Sequence, residues 1–442
     1  MVRVATFDIS AAVCAASKID LAFDIDLDTG TPANSIPIIS LPHLSPQSKP
    51  KPSNQSAANQ RRKKCRAAVV KAHGHLPKPD TIETIIHTAL PQHIDFSTTH
   101  LPHVRGAFTA KCKRFATTQL KQLHLDEMKR ERSVEELVAA GFMYVPWQGK
   151  STYFVDCNNY VFAAVAAAPQ KGNYAAAAER LFDHISTLSL CLPAAKPHRR
   201  GDFPVLNFGI HHGQGLQEPF NISLSDDASK IVEELSEDAD FQRLCGFQSG
   251  KARATGLSKS LNSTPAAFQV WFPELFAHYK ETMDQVRTRL PQLRFPVEKS
   301  VFPGVTVNFG RRVATYRHRD INNLAYGMCA ITPLGQFDHT RSAQLVLEEA
   351  KLVIEVPSAA TAFIMSAPCT HSNLPIAEGD TRVSFTQYAA GPIFCYVQNR
   401  CMMEEALRKA NPPAWKANQA LKDDAWARGV SLLPTIEKII EY

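Results

Sequence analysis

His318-Arg319-Asp320 sets an imidazole and a carboxylate two residues apart, at the end of a β-like run. In an extended segment residues i and i+2 project to the same side, so both groups can reach one ion. Non-haem iron sites for oxygen chemistry use two histidines and one carboxylate on one face of an octahedron, leaving three positions open. His371 is the expected third ligand; it follows the run Thr361–Ser366 and the turn-like Ala367-Pro-Cys-Thr. Arg382 then opens the strand Arg382-Val-Ser-Phe-Thr-Gln-Tyr. Alternation puts Arg382, Ser384, Thr386 and Tyr388 on one face and Val383, Phe385 and Gln387 on the other. A basic, hydroxyl-bearing face near two histidines suits a dicarboxylate. Arg382 would pair bidentately with the distal carboxylate of 2-oxoglutarate and Ser384 would add a hydrogen bond. The competing reading is a chance meeting of a histidine and an arginine in an all-β domain. Two further HxD triplets, His93-Ile94-Asp95 and His124-Leu125-Asp126, have no third ligand arranged in following strands, and the second sits in a helical pattern.

Short β-like runs crowd the stretch from Phe302 to Val397: Val305–Phe309, Val313–Tyr316, Cys329–Thr332, Gln344–Leu347, Lys351–Val356, Thr361–Ser366, Val383–Tyr388 and Pro392–Val397. So many short strands predict a sandwich or barrel-like roll. Ahead of it the pattern is mostly helical. Ser133-Val-Glu-Glu reads as a capping box, Asn173–Leu188 and Phe268–Arg289 as helices, Ser225-Asp-Asp as a helix start, Phe203–Ile210 as a strand, and Tyr144-Val-Pro-Trp-Gln-Gly with Thr152–Val161 as strand, turn, strand, with Cys157-Asn-Asn as the turn. After Met402 the chain is helical again, broken at Pro412-Pro413. The expected organisation is a flexible basic tail over 1–80 and a helical and β buttress over 81–300. A catalytic core follows over 301–400, then C-terminal helices over 401–442.

These residues resemble 2-oxoglutarate dioxygenases of the Tet/JBP kind, in particular their fungal branch. The resemblance rests on His318-Arg-Asp-Ile-Asn-Asn, on Ala330-Ile-Thr-Pro-Leu-Gly-Gln-Phe-Asp with Leu345-Val-Leu and Lys351-Leu-Val-Ile-Glu, and on His371-Ser-Asn through Arg382-Val-Ser-Phe-Thr-Gln-Tyr. It spans about residues 300 to 397 and reaches back more weakly through Tyr144-Val-Pro-Trp and Arg200-Gly-Asp-Phe-Pro. It implies an α+β fold, a double-stranded β-helix or jelly roll buttressed by helices. It implies Fe(II) at His318, Asp320 and His371, 2-oxoglutarate at Arg382, Ser384 and Asn308, and O2 as the oxidant. Asn323 matches an asparagine that hydrogen-bonds a flipped base, and Tyr388 an aromatic residue that stacks near it. The animal enzymes carry a cysteine-rich zinc region that nothing here replaces. Ala390 stands where they have a base-contacting histidine, so base choice does not carry over.

The chemistry implied is cleavage of 2-oxoglutarate with O2 to succinate and carbon dioxide, coupled to hydroxylation of a methyl group on a DNA base. With 5-methylcytosine the product is 5-hydroxymethylcytosine and beyond; with N6-methyladenine the hydroxylated carbon leaves as formaldehyde. A methyl group inside a duplex must first be flipped out, and basic residues must hold the backbone. Arg311, Arg312, Arg317 and Arg319 around the HxD triplet, Lys111, Lys113 and Arg114, and Arg199 and Arg200 are candidate phosphate contacts. Asp338 and His339 are candidate readers of a base edge. A prolyl or asparaginyl protein hydroxylase with the same iron core is the alternative, and an inactive binding module a further one.

Composition agrees with a nucleic-acid partner, expected to be methylated duplex DNA, without demanding it. The 442 residues carry a formal charge of +7, with 44% hydrophobic residues, ordinary for a globular chain. The basic, Pro/Ser-rich stretch containing Arg61-Arg-Lys-Lys-Cys-Arg66 is the kind read by nuclear import or drawn to phosphates. No apolar run is long enough for a membrane span. The ten cysteines form no CxxC pair, so a structural zinc site has no local signature; in a chain this long they do not look like a disulfide scaffold, which points to a reducing compartment, nucleus first and cytoplasm second. No obligate protein partner is implied.

Overall fold

The computed structural model describes residues 79–170, 173–193, 198–213, 215–249, 266–298 and 300–440; the basic cluster Arg61–Arg66 lies outside them. Thirteen strands are present among these residues: β1 (Leu90–His93), β2 (Met143–Val145), β3 (Thr152–Val155), β4 (Val161–Ala166), β5 (Val205–His211), β6 (Phe220–Asn221), β7 (Gly304–Asn308), β8 (Cys329–Leu334), β9 (Leu345–Leu347), β10 (Leu352–Ile354), β11 (Thr361–Ile364), β12 (His371–Asn373) and β13 (Val383–Tyr388). They build a nine-stranded sheet in the order β1-β3-β4-β11-β8-β13-β7-β5-β6 and a four-stranded sheet in the order β12-β9-β10-β2. With the surrounding helices this is a mixed α+β fold. From β7 onward the chain passes back and forth between the sheets, so residues distant in sequence become neighbours.

Period-two patterning explains how the small sheet is buried on both faces. Leu345, Leu347, Leu352 and Ile354 join the main apolar cluster. Val346 and Val353 instead form a second cluster with Leu137 and Leu374. Leu137 lies on the helix Val134–Ala139, whose first turn is fixed by the Ser133/Glu136 capping box. The outer face of the large sheet is covered by the helices Ala239–Ser249, Ala267–Trp271 and Pro273–Arg289. Phe385 meets Phe241 with ring centroids 5.8 Å apart, and Phe363 meets Phe268 at 5.7 Å. Each of these fully buried phenyl groups contributes about 1.5–3 kcal/mol of hydrophobic stabilisation.

Three expectations are corrected. Pro392–Val397 is not a strand but part of the helix Gly391–Gln398. A six-residue apolar run does not reveal its period, and proline is well placed in a helix's first turn. Val313–Tyr316 is not a regular strand: bridges hold the stretch only at Arg312 and His318, and the Tyr316 amide donates instead to the Arg200 carbonyl at 2.8 Å. The helical stretch Phe268–Arg289 breaks at Phe272, because Pro273 starts a new helix.

Candidate metal and co-substrate site

His318 and His371 face each other across an antiparallel bridge. Each amide donates to the other's carbonyl, at 3.0 and 2.9 Å, which sets both side chains on one side of the ladder. Their rings lie 4.3 Å apart. Asp320, two residues on, donates its amide to the Ser366 carbonyl at 2.9 Å, holding the turn that brings its carboxylate back. Its oxygens lie 3.9 Å from His318 Nε2 and 3.8 Å from His371 Nε2, and one ligand atom from each of the three residues falls within 4.8 Å of the others. No further His/Asp/Glu/Cys group of this kind occurs among the described residues; His93-Ile94-Asp95 and His124-Leu125-Asp126 form none.

The surroundings prepare these groups for a metal. His318 Nδ1 donates to the Tyr316 carbonyl at 2.7 Å and His371 Nδ1 to the Cys369 carbonyl at 3.1 Å. Each ring thus keeps its proton on Nδ1 and presents an Nε2 lone pair. Burial, together with the neighbouring imidazole, pushes the His318 pKa well below its ordinary value; burial lowers His371 as well. Both rings are therefore neutral, the form a metal binds. Burial works against a charge on Asp320, but Arg200, the two imidazoles and Arg199 outweigh it and hold the carboxyl well below its usual range. Arg200 Nη2 donates directly to Asp320 Oδ1. Two neutral imidazoles and one ionised carboxylate suit a first-row divalent ion such as Fe(II).

Arg382 stands just ahead of β13. Its amide donates to the Arg311 carbonyl at 2.8 Å and its carbonyl accepts from the Val313 amide at 3.0 Å. The segment from Val313 to His318 thus links it to the metal ligands, within about 17 Å along the chain. Arg382 is only 3% exposed. Nη1 donates to the Val313 carbonyl at 2.6 Å, Nε has no acceptor, and the Phe337 ring lies 5.9 Å away. No carboxylate among the described residues pairs with it, and burial lowers its pKa to about 10. Ser384, two residues on, is in register with Asn308 of β7. Asn308 Nδ2 donates to Ser384 Oγ at 3.0 Å, and Asn308 Oδ1 is buried without a donor. Further along that face Tyr388 lies over Gly304, where a Cβ would come within 2.8 Å of its ring. Burial pushes the Tyr388 phenol up to about 12, and the charges of Arg200 and Asp320 are felt there. On the other face, Gln387 is locked into a buried network with Gln248, Ser300 and the Cys245 carbonyl.

The remaining candidates fare differently. The Asn323 amide donates to Ser366 Oγ at 3.0 Å. Asp338 caps its own turn, accepting from the Thr340 amide and hydroxyl and from Arg341 Nε. His339 donates to the buried Glu355. The two terminal Arg312 nitrogens donate to the carbonyls of Ala377 and Ile376. Arg317 pairs with Glu127 at 2.9 Å, and Arg319 donates to the Lys111 carbonyl at 3.1 Å. Arg311, Lys111, Lys113 and Arg114 are exposed. Arg200, read from sequence as a phosphate contact, turns inward to Asp320. The Tyr316, Cys369 and Ser366 carbonyls that orient the ligands carry no sequence signal.

No protein-family model matches the chain, and no curated protein matches it. Among solved structures, NgTET1 in complex with 5mC DNA aligns at TM-score 0.33 and 13% identity, over 62% of this chain and 91% of that one. An oxidoreductase of the 2OG-Fe(II) oxygenase family from Burkholderia pseudomallei aligns at 0.26 and 15%, over 50% of this chain and 93% of that one. The viral collagen prolyl hydroxylase vCPH of Paramecium Bursaria Chlorella virus-1, in its 2OG complex, aligns at 0.17 and 14%, over 29% and 76%. Likenesses this low say nothing of what this chain does.

Proposed function

We propose that this chain is an Fe(II)- and 2-oxoglutarate-dependent dioxygenase that oxidises methylated bases in DNA. The observation that carries the oxygenase reading is the pairing of a buried His/Asp/His cluster, both Nε2 atoms free, with a buried guanidinium that has no counterion among the described residues. A buried charge of that kind is unfavourable unless something pairs with it, and a carboxylate ligand is the natural partner. In this reading His318, Asp320 and His371 hold the metal, Arg382 and Ser384 hold the distal carboxylate, and Asn308 keeps the Ser384 hydroxyl in place. The strand order supports a double-stranded β-helix core: β7-β13-β8-β11 on one side, and the His318 segment with β12, β9 and β10 on the other.

Bound iron with 2-oxoglutarate and O2 supplies the oxidising power for hydroxylating an unactivated methyl group. The protein's share is placement and exclusion of water. Burial keeps His318 and His371 neutral, their Nδ1 bonds leave the Nε2 lone pairs for the metal, and Arg200 keeps Asp320 ionised. Nucleic acid as substrate is favoured by one further feature. The loop bearing Lys111, Lys113 and Arg114 is tied to the residues on either side of Asp320, through the Ala110 amide to the Ile321 carbonyl at 2.9 Å and Arg319 to the Lys111 carbonyl. An exposed basic loop would thus flank the site, where a flipped nucleotide's backbone would lie. The nucleus is the compartment this reading implies.

The test incubates full-length protein with duplexes bearing 5-methylcytosine or N6-methyladenine, with iron and 2-oxoglutarate, and reads nucleosides by mass spectrometry and succinate in parallel. Iron-dependent hydroxymethylation or demethylation is expected. Succinate release stimulated by prolyl or asparaginyl peptides but by neither DNA would replace the substrate assignment with the protein-hydroxylase reading. No 2-oxoglutarate-dependent succinate on any substrate would remove the oxygenase reading.

A further inference from the structure

Asp320 is the only acid of the His/Asp/His cluster, and it already has a counter-cation. Arg200 Nη2 donates to Oδ1, the oxygen that lies 3.9 Å from His318 Nε2. Little of the pair meets solvent: 25% of the Arg200 side chain and 10% of the Asp320 side chain are exposed. Among the described residues Asp320 is the one acid within ion-pair distance of Arg200. Arg199 Nη2 stands 3.8 Å from the same Asp320 oxygen. The acid of that turn, Asp202, is exposed and accepts the Tyr316 hydroxyl at 2.7 Å.

The backbone holds this contact in place. His198 and Gly201 exchange amide bonds at 3.0 and 3.2 Å, closing the turn that presents Arg199 and Arg200. No side chain fits at Gly201, where a Cβ would lie 2.3 Å from the Phe203 ring. The Arg200 carbonyl accepts the Tyr316 amide at 2.8 Å, and the Tyr316 carbonyl in turn orients His318. Arg199 Nη1 donates to the Arg319 carbonyl at 3.0 Å. The turn is thus docked on the segment that carries two of the ligands, and none of these ties uses Arg200 Nη2.

Two imidazoles with bare Nε2 atoms and one carboxylate make a cluster with a single negative charge; the guanidinium brings it to neutrality. A divalent cation entering alone meets a carboxylate whose charge is already offset, beside a guanidinium that repels it. In a partly buried site that repulsion is weakly screened. An anion bound alongside the cation offsets it. We propose that Arg200, acting through Asp320, couples metal binding to an anionic co-ligand, so that the site holds a divalent cation less tightly alone than together with a dicarboxylate. The inference rests on the reading of this cluster as a metal site with 2-oxoglutarate beside it. Linkage is reciprocal, so the co-ligand gains from the metal the factor that the metal gains from it. Any chelating anion would supply part of that factor; the part owed to Arg200 is what its removal takes away.

Calorimetric titration of Mn(II), a redox-quiet stand-in for Fe(II), into the full chain with and without saturating 2-oxoglutarate tests it. In Arg200→Met, Mn(II) alone should bind about tenfold or more tightly than in wild type, and the tightening by 2-oxoglutarate should shrink by a similar factor. Arg200→Lys keeps the charge and should keep the wild-type coupling. A residue that only shaped the turn would act in the opposite sense, since a misplaced Asp320 weakens the metal. Arg200→Gln keeps a donor for Asp320 without the charge; it should match Arg200→Met, and it decides the matter if Arg200→Met does not fold. Unchanged or weaker Mn(II) binding in the folded uncharged variants, or coupling equal to wild type, overturns the proposal and leaves the metal site standing. No Mn(II) bound by wild type, with or without 2-oxoglutarate, removes the metal site and the proposal with it.

Discussion

Replacing Arg382 by methionine should separate binding from stability. Arg382 is 3% exposed, with one hydrogen bond to a carbonyl, a bare Nε and no counterion among the described residues. Its pKa, lowered from 12.5 to about 10 by burial, corresponds to a penalty on the order of 3 kcal/mol on the charged form. A carboxylate ligand would offset that penalty. Removing one partner of a buried ion pair costs about 2–5 kcal/mol, so 2-oxoglutarate affinity should fall roughly 30- to several-thousand-fold. The ligand-free protein loses an uncompensated buried charge, so its Tm should stay level or rise. Arg382→Lys keeps the charge without the fork and should fall between the two. Titration of 2-oxoglutarate with metal present gives the affinity, and thermal unfolding without ligand gives the stability. An affinity within threefold of wild type would refute the co-substrate role. A large drop in ligand-free Tm would show that Arg382 is a structural residue.

His278, half-buried against Phe394 and bonded to the Tyr326 hydroxyl at 3.1 Å, has its pKa lowered from 6.5 to about 4 by desolvation. The unfolded chain takes up this proton first, so the stability is present above pH 6.5 and is lost as pH falls towards 4, by up to about 3 kcal/mol. Urea unfolding of His278→Phe between pH 4 and 7 should show a correspondingly flatter profile, and an unchanged slope would count against the assignment. Gly391→Ala would put a Cβ 1.6 Å from the Phe108 carbonyl oxygen; a loss on the order of 3 kcal/mol is expected, and a wild-type urea midpoint would mean that this loop is loosely held. Asp338→Ala should lower Tm slightly through its turn and leave turnover on methylated DNA unchanged; a selective loss of turnover would make it a base reader.

What could be read from the sequence follows from the range of the interactions. His318 and Asp320 are two residues apart, so local alternation suffices to pair them. The alternation along β13 likewise separates Arg382, Ser384 and Tyr388 from Phe385 and Gln387. The strand of His371 was not legible: His371-Ser-Asn has no β-branched residue, and only pairing with β9 makes it a strand. The helix Gly391–Gln398 was hidden in a short apolar run of no clear period. Arg200 meets Asp320 from 120 residues away, and Arg132 meets Glu348 from 216 away. No local pattern encodes such meetings.

The most direct measurement is the metal content of the chain purified and loaded with Fe(II) without oxygen, for wild type and for His318→Ala, Asp320→Ala and His371→Ala. One ion per wild-type chain is predicted, lost in each variant while the circular dichroism spectrum stays the same. Iron retained at full stoichiometry in folded variants, or none bound by the wild type, would contradict the assignment of these three side chains.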